Sequence, residues 1–311
     1  MDLKVDFAFK QLFGNEQNKK ITIVFLNAIL QKTGRDTIKE VLFVNQEVGG
    51  EYKDDKQSRL DIVVKTQKSE LINIEMQISN QNDMLKRTLF YWSRLYVAQL
   101  QKGQGYRKLL PTITINICNF TIFEEYPSYH NTFHLHEDTI HGRLKPKDDV
   151  LELHFIEMNK FLKAWHDNQL NPLEDILARW LLLLGMVDAR KTKVYNDIYK
   201  ELEELAMKDE NLKEAFNEWE SLSQTPETII AYQSRLKLLI DEEARLADAR
   251  EIGVEEGREE GLTEGIEIGK EEGIKEVIIC LIESGFTDAD IARVAKQPIE
   301  LVQEVRSEIG F

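Results

Sequence analysis

Residues 59–78 read Arg59-Leu60-Asp61-Ile62-Val63-Val64-Lys65-Thr66-Gln67-Lys68-Ser69-Glu70-Leu71-Ile72-Asn73-Ile74-Glu75-Met76-Gln77-Ile78, and this stretch decides the fold. Ile72, Ile74, Met76 and Ile78 alternate with Asn73, Glu75 and Gln77, the period-two signature of a half-buried strand. Glu75 and Gln77 therefore share the face that the apolar residues leave. Residues 60–66 supply a partner strand, and the five polar residues Thr66 to Glu70 are few enough to close a hairpin. A turn centred on Lys68 sets Asp61 opposite Glu75, and directly opposed residues have Cβ atoms about 4.5–5.5 Å apart. Two carboxylates at that distance repel unless something positive lies between them. A hard divalent cation with oxygen ligands, Mg2+ or Mn2+, is the natural filler, which gives the outline of a metal-dependent hydrolase site.

Outward from this hairpin, periodicity predicts a helix over 15–31, with Ile21, Val24, Phe25 and Ile29 on one face, and a first strand over 41–48. A second helix over 80–102 is expected to bury Leu85, Leu89, Trp92, Tyr96 and Leu100, and a strand over 110–118 follows Pro111. The order is α-β-β-β-α-β. Strands at 132–136 and 151–156 extend or edge the sheet. From Asn159 onward the pattern is helical, with one helix opening at Pro172-Leu173-Glu174 and another at Thr225-Pro226-Glu227-Thr228 that runs past Asp241.

Asp6-Phe7-Ala8-Phe9-Lys10-Gln11-Leu12-Phe13-Gly14, Arg87 and Tyr91, Gly105-Tyr106, and a tail of regularly spaced glycines accompany the Asp61…Glu75-x-Gln77 triplet. Together they resemble the Rpn family of recombination-promoting nucleases and putative transposases, over about residues 1–275. The resemblance implies an α/β (α+β) restriction-endonuclease-like PD-(D/E)XK core with αβββαβ order, followed by an all-helical C-terminal region. It implies hydrolysis of DNA with Mg2+ or Mn2+, with Asp61 and Glu75 as metal ligands and Gln77 standing where the parent motif has Lys. Gln cannot carry that positive charge, so stabilising the transition state falls to the metal, to Arg87 or to Lys65. Asp6 and Lys10, four residues apart on one helical face, lie near the cleft in this reading, their role unassigned; apart from it they make an i,i+4 pair of small value.

The chain of 311 residues is 42% hydrophobic and 31% charged, a globular composition with room for one catalytic domain and helical additions. Its longest apolar runs, 21–30 and 180–187, are too short to span a bilayer, and the opening residues lack a signal-peptide pattern. Cys118 and Cys280 offer neither a disulfide framework nor metal-ligand spacing, and a cytoplasmic location is expected. The net charge of −15 opposes nucleic-acid binding until it is divided along the chain. Residues 1–110 hold 18 Lys and Arg against 13 Asp and Glu, whereas the remainder holds 22 against 42. The basic segment is the one carrying the candidate site, with Lys53, Lys56, Arg59, Lys65, Lys68, Lys86, Arg87 and Arg94 around it. Phosphate backbones are held by such residues.

Four regions are expected: a nuclease core over 1–157, a helical extension over 158–250, an oligomerising helix over 251–275 and a small helical module over 276–311. Gly253, Gly257, Gly261, Gly265, Gly269 and Gly273 recur every four residues among Glu, Arg and Lys. Each costs about 1 kcal/mol relative to Ala inside a helix, which a close helix–helix contact offsets. The charge density excludes membrane pairing, and a period above 3.6 winds the contact right-handedly. This predicts a homo-oligomer, a dimer, through residues 250–275. In 276–311, short helices over 277–283, 287–295 and 298–308 start at Thr287 with Asp290 and at Pro298. Glu300, Glu304 and Glu308 against Arg306 alone make the last a poor surface for phosphates, so the module serves packing or a partner. His134 and His136, with His130 and His141 nearby, lack completing ligands and read as packing or surface histidines. The competing function is a non-catalytic DNA-binding or scaffold protein with the same fold. A DDE-type transposase lacks its third acidic residue here.

Overall fold

A computed structural model describes residues 1–31, 35–44, 47–48, 58–80, 83–139, 142–144 and 149–310. Lys53, Lys56 and His141 lie outside the described residues, as does the side chain of Arg59. The chain divides into two units, Met1–Ile240 and Asp241–Phe311.

The first unit opens with two helices, α1 (Asp6–Phe13) and α2 (Lys19–Leu30). Residues 15–18, expected to begin α2, form a separate 3-10 turn, because the Asn15 side chain accepts a hydrogen bond from the Gln17 amide. Strands β1 (Val41–Phe43), β2 (Glu47–Val48), β3 (Ser58–Arg59), β4 (Ile62–Thr66) and β5 (Leu71–Gln77) follow. The strand expected over 41–48 is thus split: β1 pairs with β4, and β2 leaves the sheet to pair with β3. Helix α3 (Met84–Val97) then leads to β6 (Thr112–Cys118), β7 (His130–His134) and β8 (Leu151–Glu157). The α-β-β-β-α-β order is present, and the two further strands extend the sheet to six in the order β1-β4-β5-β6-β8-β7.

β4 and β5 run antiparallel with Ile62 opposite Ile74 and Val63 opposite Asn73, the register that a turn at Lys68 sets. Ser69 accepts a positive φ of 62° to close that turn. β5 and β6 are parallel, so α3 is the crossover between them. Ile72, Ile74 and Met76 of β5 and Ile113, Ile115 and Ile117 of β6 face the main core, where they meet α1, α2 and α5 (Ile176–Gly185). Phe9, Phe13, Phe25 and Trp180 stack there with ring centroids 4.6–6.3 Å apart. Aromatic pairs of this kind contribute about 0.5–1.5 kcal/mol each beyond area burial.

The other face corrects the expectation of a half-open strand. Asn73 and Glu75 are buried too, and α3 reaches Asn116, the β6 neighbour of Glu75. The helix buries Met84, Thr88 and Leu95; of the expected stripe, Leu85 and Leu89 are 47% exposed, whereas Trp92 packs inward and donates to the Thr112 carbonyl. The cause is the partner surface. The sheet offers α3 polar groups as well as apolar ones, and Thr88 Oγ1 reaches Asn116 Oδ1 at 3.2 Å.

After β8 come α4 (Met158–His166), α5, α6 (Asn196–Ala206) and α7 (Glu210–Gln224). The all-helical expectation fails at β9 (Val187–Asp188) and β10 (Lys193–Val194), a small hairpin whose brief strands carry no readable period. α5 opens at Ile176, two residues beyond Glu174, where the Asp175 side chain accepts from the Ala178 amide. α8 (Pro226–Glu283) begins at Pro226 as expected and continues as one helix through all six glycines. Residues 277–283, expected to be a separate helix, are its last turns. Among the described residues no helix is long and apolar enough to cross a membrane.

In the second unit, Ile278 and Ile282 of α8 pack with Ile291 of α9 (Asp288–Ala295) and with Val302 and Val305 of α10 (Ile299–Glu308). The Thr287 side chain caps α9 by accepting from the Asp290 amide, as its sequence signature predicts.

Candidate active site at the Asp61–Glu75 pair

The hairpin register carries Asp61, the residue just before β4, to the flank of Glu75 in the middle of β5. The two are tied through each other's strand: the Asp61 amide donates to Glu75 Oε1 at 3.3 Å, and the Met76 amide donates to Asp61 Oδ2 at 2.9 Å. Both are almost fully buried, Asp61 5% and Glu75 3% exposed. Gln77 Nε2 donates to Glu75 Oε2 at 3.2 Å, so the three residues of the triplet meet at one place. Asn73, two residues before Glu75 on the same face, was not singled out from the sequence. Its Nδ2 donates to Glu75 Oε1 at 3.2 Å, and its buried Oδ1 has no hydrogen-bond partner among the described residues. The signal was there in the Asn73, Glu75, Gln77 alternation, whose neighbours across the parallel pairing are Thr114, Asn116 and Cys118.

Lys10 completes the cluster from α1, its Nζ 2.9 Å from Asp61 Oδ1. It arrives there because α1 ends hard against the sheet. A Cβ on Gly14 would come within 2.9 Å of the Lys10 carbonyl, which forces a shift at the helix end, and lie 3.3 Å from Ile62 Cγ1 of β4, a tight contact with the sheet. Asp6, one turn earlier on the same helix, is near enough that, after burial, its charge helps raise the Asp61 carboxyl, but its own partner is another residue. Arg235 of α8 grips it, with Nε 2.8 and 3.0 Å from its two oxygens. Arg87 on α3 is half-buried, its guanidinium 5.4 Å from the Tyr91 ring centroid and its buried Nε without a hydrogen-bond partner among the described residues. Lys65 is not brought to the pair. It is exposed opposite Leu71 beside the turn, about 13 Å along the strand from Asp61 at 3.3 Å per residue.

Electrostatics sets the cluster apart from an ordinary buried ion pair. Burial first, and the Asp61 charge second, push the Glu75 carboxyl up to about 8, against the hydrogen bonds from Asn73 and Asp61 and the charge of Arg87. Burial likewise raises Asp61 above the usual carboxylate range, the Lys10 ammonium pulling the other way. A pair so placed gains stability from an added positive charge.

The histidines behave as packing groups. His130 Nε2 lies 2.9 Å from Nδ1 of the buried His154, whose Nε2 lies 2.8 Å from Glu152, and His134 neighbours Asp149. Among the described residues no group of three or more His, Cys, Asp and Glu side chains is arranged to hold a metal ion.

A family model described as PD-(D/E)XK nuclease family transposase matches residues 3–249 of the chain. No curated protein matches it, and no solved structure does.

Proposed function

Because the chain belongs to the PD-(D/E)XK nuclease family transposases, we propose that it is a metal-dependent DNA nuclease whose hydrolysis of phosphodiester bonds promotes DNA recombination. The observation that carries this reading is the pair of buried carboxylates, Asp61 and Glu75, held against each other with raised affinity for protons. The donor set is all oxygen, and the unpartnered Asn73 Oδ1 beside it adds a further acceptor. Such a set suits Mg2+ or Mn2+, which keep several waters when only two carboxylates bind them. Asp61 and Glu75 would hold the ion, which when bound polarises the scissile phosphate and lowers the pKa of a water. Gln77 steadies Glu75 through its amide nitrogen and leaves its amide oxygen to orient a water. Lys86, Arg87 and Arg94 along α3 suit the phosphates of the backbone.

Incubation of the purified protein with plasmid DNA, with and without Mg2+ or Mn2+, tests this reading. Nicking or linearisation that requires the ion is expected, and Gln77→Ala should slow it by about 10²–10³-fold, the range for single polar stabilisers. Plasmid left intact with either ion, but retained by the protein, would favour the non-catalytic DNA-binding or scaffold reading.

Self-association is proposed to run through residues 250–275. The six glycines sit in a continuous helix, and a Cβ built on any of them meets nothing within 4 Å among the described residues. Among the described residues, then, no contact offsets their cost of about 1 kcal/mol each. Deleting residues 250–311 spares the unit Met1–Ile240 and should convert a dimer into a monomer that cuts duplex DNA less well. Light scattering decides: a monomeric full-length chain, or an oligomer unchanged by the deletion, refutes the assignment.

A further inference from the structure

Resting on the nuclease reading above, we infer that Lys10 is a catalytic residue of this site, supplying from α1 the positive charge that β5 lacks at Gln77. Three observations carry the inference. Lys10 Nζ is 2.9 Å from Asp61 Oδ1, with its side chain 24% exposed against 8% for Asp61, so the ammonium is the group of the pair that solvent and substrate reach. Gln77 is neutral, and one hydrogen of its amide group is engaged by Glu75 Oε2. Lastly, α1 is held at both ends, by Arg235 on Asp6 at its first residue and by the close approach of Gly14 to Ile62 after its last. Phe9 and Phe13 lock the helix into the core between those ends. A side chain on so fixed a helix meets its target without reorganisation, which is what electrostatic stabilisation requires.

The other cations near the sequence motif are less well placed. Lys65 lies at the turn end of the hairpin, and Arg87 approaches from α3 on the Glu75 side. In the hydrolysis, the water oxygen forms the new bond to phosphorus and one bridging P–O bond breaks, its electron pair leaving on the sugar oxygen. The proton from water passes through solvent to that oxygen. Lys10 keeps its own proton throughout and donates hydrogen bonds to the non-bridging oxygens, where negative charge builds.

The test compares the full-length protein with Lys10→Gln, Lys10→Arg and the double variant Lys10→Gln/Gln77→Lys. Lys10→Gln should lower kcat by about 10²–10³-fold, a larger loss than that of duplex affinity, because the charge counts most in the transition state. Lys10→Arg should keep more of the rate, and the double variant should regain about tenfold or better, because the charge returns from the strand. Duplex binding with Ca2+ in place of Mg2+, followed by fluorescence anisotropy across salt concentrations, gives a readout independent of turnover. The slope of log affinity against log salt should shrink by about one unit in Lys10→Gln and recover in the double variant, as for loss and return of one phosphate contact. Wild-type cleavage in Lys10→Gln overturns the inference. So does a loss that neither Lys10→Arg nor Gln77→Lys relieves with the salt slope unchanged, since that marks a structural lysine. A wild-type protein that cuts no DNA refutes the nuclease reading instead, and an unchanged salt slope then removes Lys10 as a phosphate contact as well.

Discussion

A Glu75→Gln protein is expected to cut no DNA and, without metal, to melt higher than the parent at pH 8. The first effect follows from removing one of the two proposed metal ligands, and Asp61→Ala should match it with a fall of more than about 10³-fold in rate. The second follows from proton linkage. Glu75 is held up to about 8 in the folded chain against an ordinary 4.5, so the folded state binds its proton more tightly than the unfolded state. The stabilising contribution of that protonated carboxyl is full below about pH 4.5 and is lost as pH rises through about 8. Gln cannot ionise, so the variant escapes the loss and should gain about 3 °C or more at pH 8, the shift that one or two kcal/mol gives a chain of this size. At pH 4 the two proteins should melt together. Thermal melts at both pH values in EDTA, with plasmid assays beside them, check both effects. Unchanged cleavage in both Asp61→Ala and Glu75→Gln would sink the site assignment, whereas equal melting at pH 8 would show Glu75 to be hydrated.

Arg35→Met should destabilise the first unit by about 1–3 kcal/mol, the cost of taking a charged hydrogen-bond donor away from a buried carboxylate. Arg35 bridges two carboxylates, with Nε 2.5 Å from Glu152 Oε2 on β8 and Nη1 2.6 Å from Glu70 Oε1 at the hairpin turn. The Glu152 side chain is 2% exposed, and His154 contacts its other oxygen at 2.8 Å. Burial alone would push Glu152 up, but the His154 hydrogen bond and the Arg35 charge outweigh it and hold the carboxyl at about 2. A folded value below the ordinary one contributes stability above about pH 4.5 that is lost as pH falls through about 2. Urea unfolding of the variant at pH 7 should therefore show a clearly lowered midpoint with an unchanged slope. A loss under about 1 kcal/mol would mean that Glu152 finds water once Arg35 is gone, and that the cluster does not tie the hairpin turn to the sheet.

Much of the site was legible in residues 59–78. A period of two fixes which side chains share a strand face, and a polar stretch as short as Thr66 to Glu70 fixes the register, so Asp61 and Glu75 come together by local geometry. The capping chemistry of Thr287 and the unbroken helix through the glycines were equally local. Local pattern misled where the neighbour chose the face. Leu85 and Leu89 looked like the buried stripe of α3, yet the helix turned Thr88 inward because the strands beneath it offered Asn116. Short strands such as β9 and β10 were missed because two residues cannot display a period.

By itself, then, the sequence determined the hairpin, its register, the αβββαβ order and the meeting of two carboxylates with Gln77, since each depends on residues near in the chain or on a repeating period. Only the tertiary structure decided the rest. Lys10 and Asp61 are 51 positions apart, and no periodicity links a helix end to a strand end. The packing of α1 on the sheet brings them to 2.9 Å and pairs Asp6, one turn away on the same helix, with Arg235. The burial of Glu75, which with the Asp61 charge drives its carboxyl up to about 8, is likewise a matter of packing. Desolvation depends on every atom around a charge, and those atoms come from segments that only folding brings together.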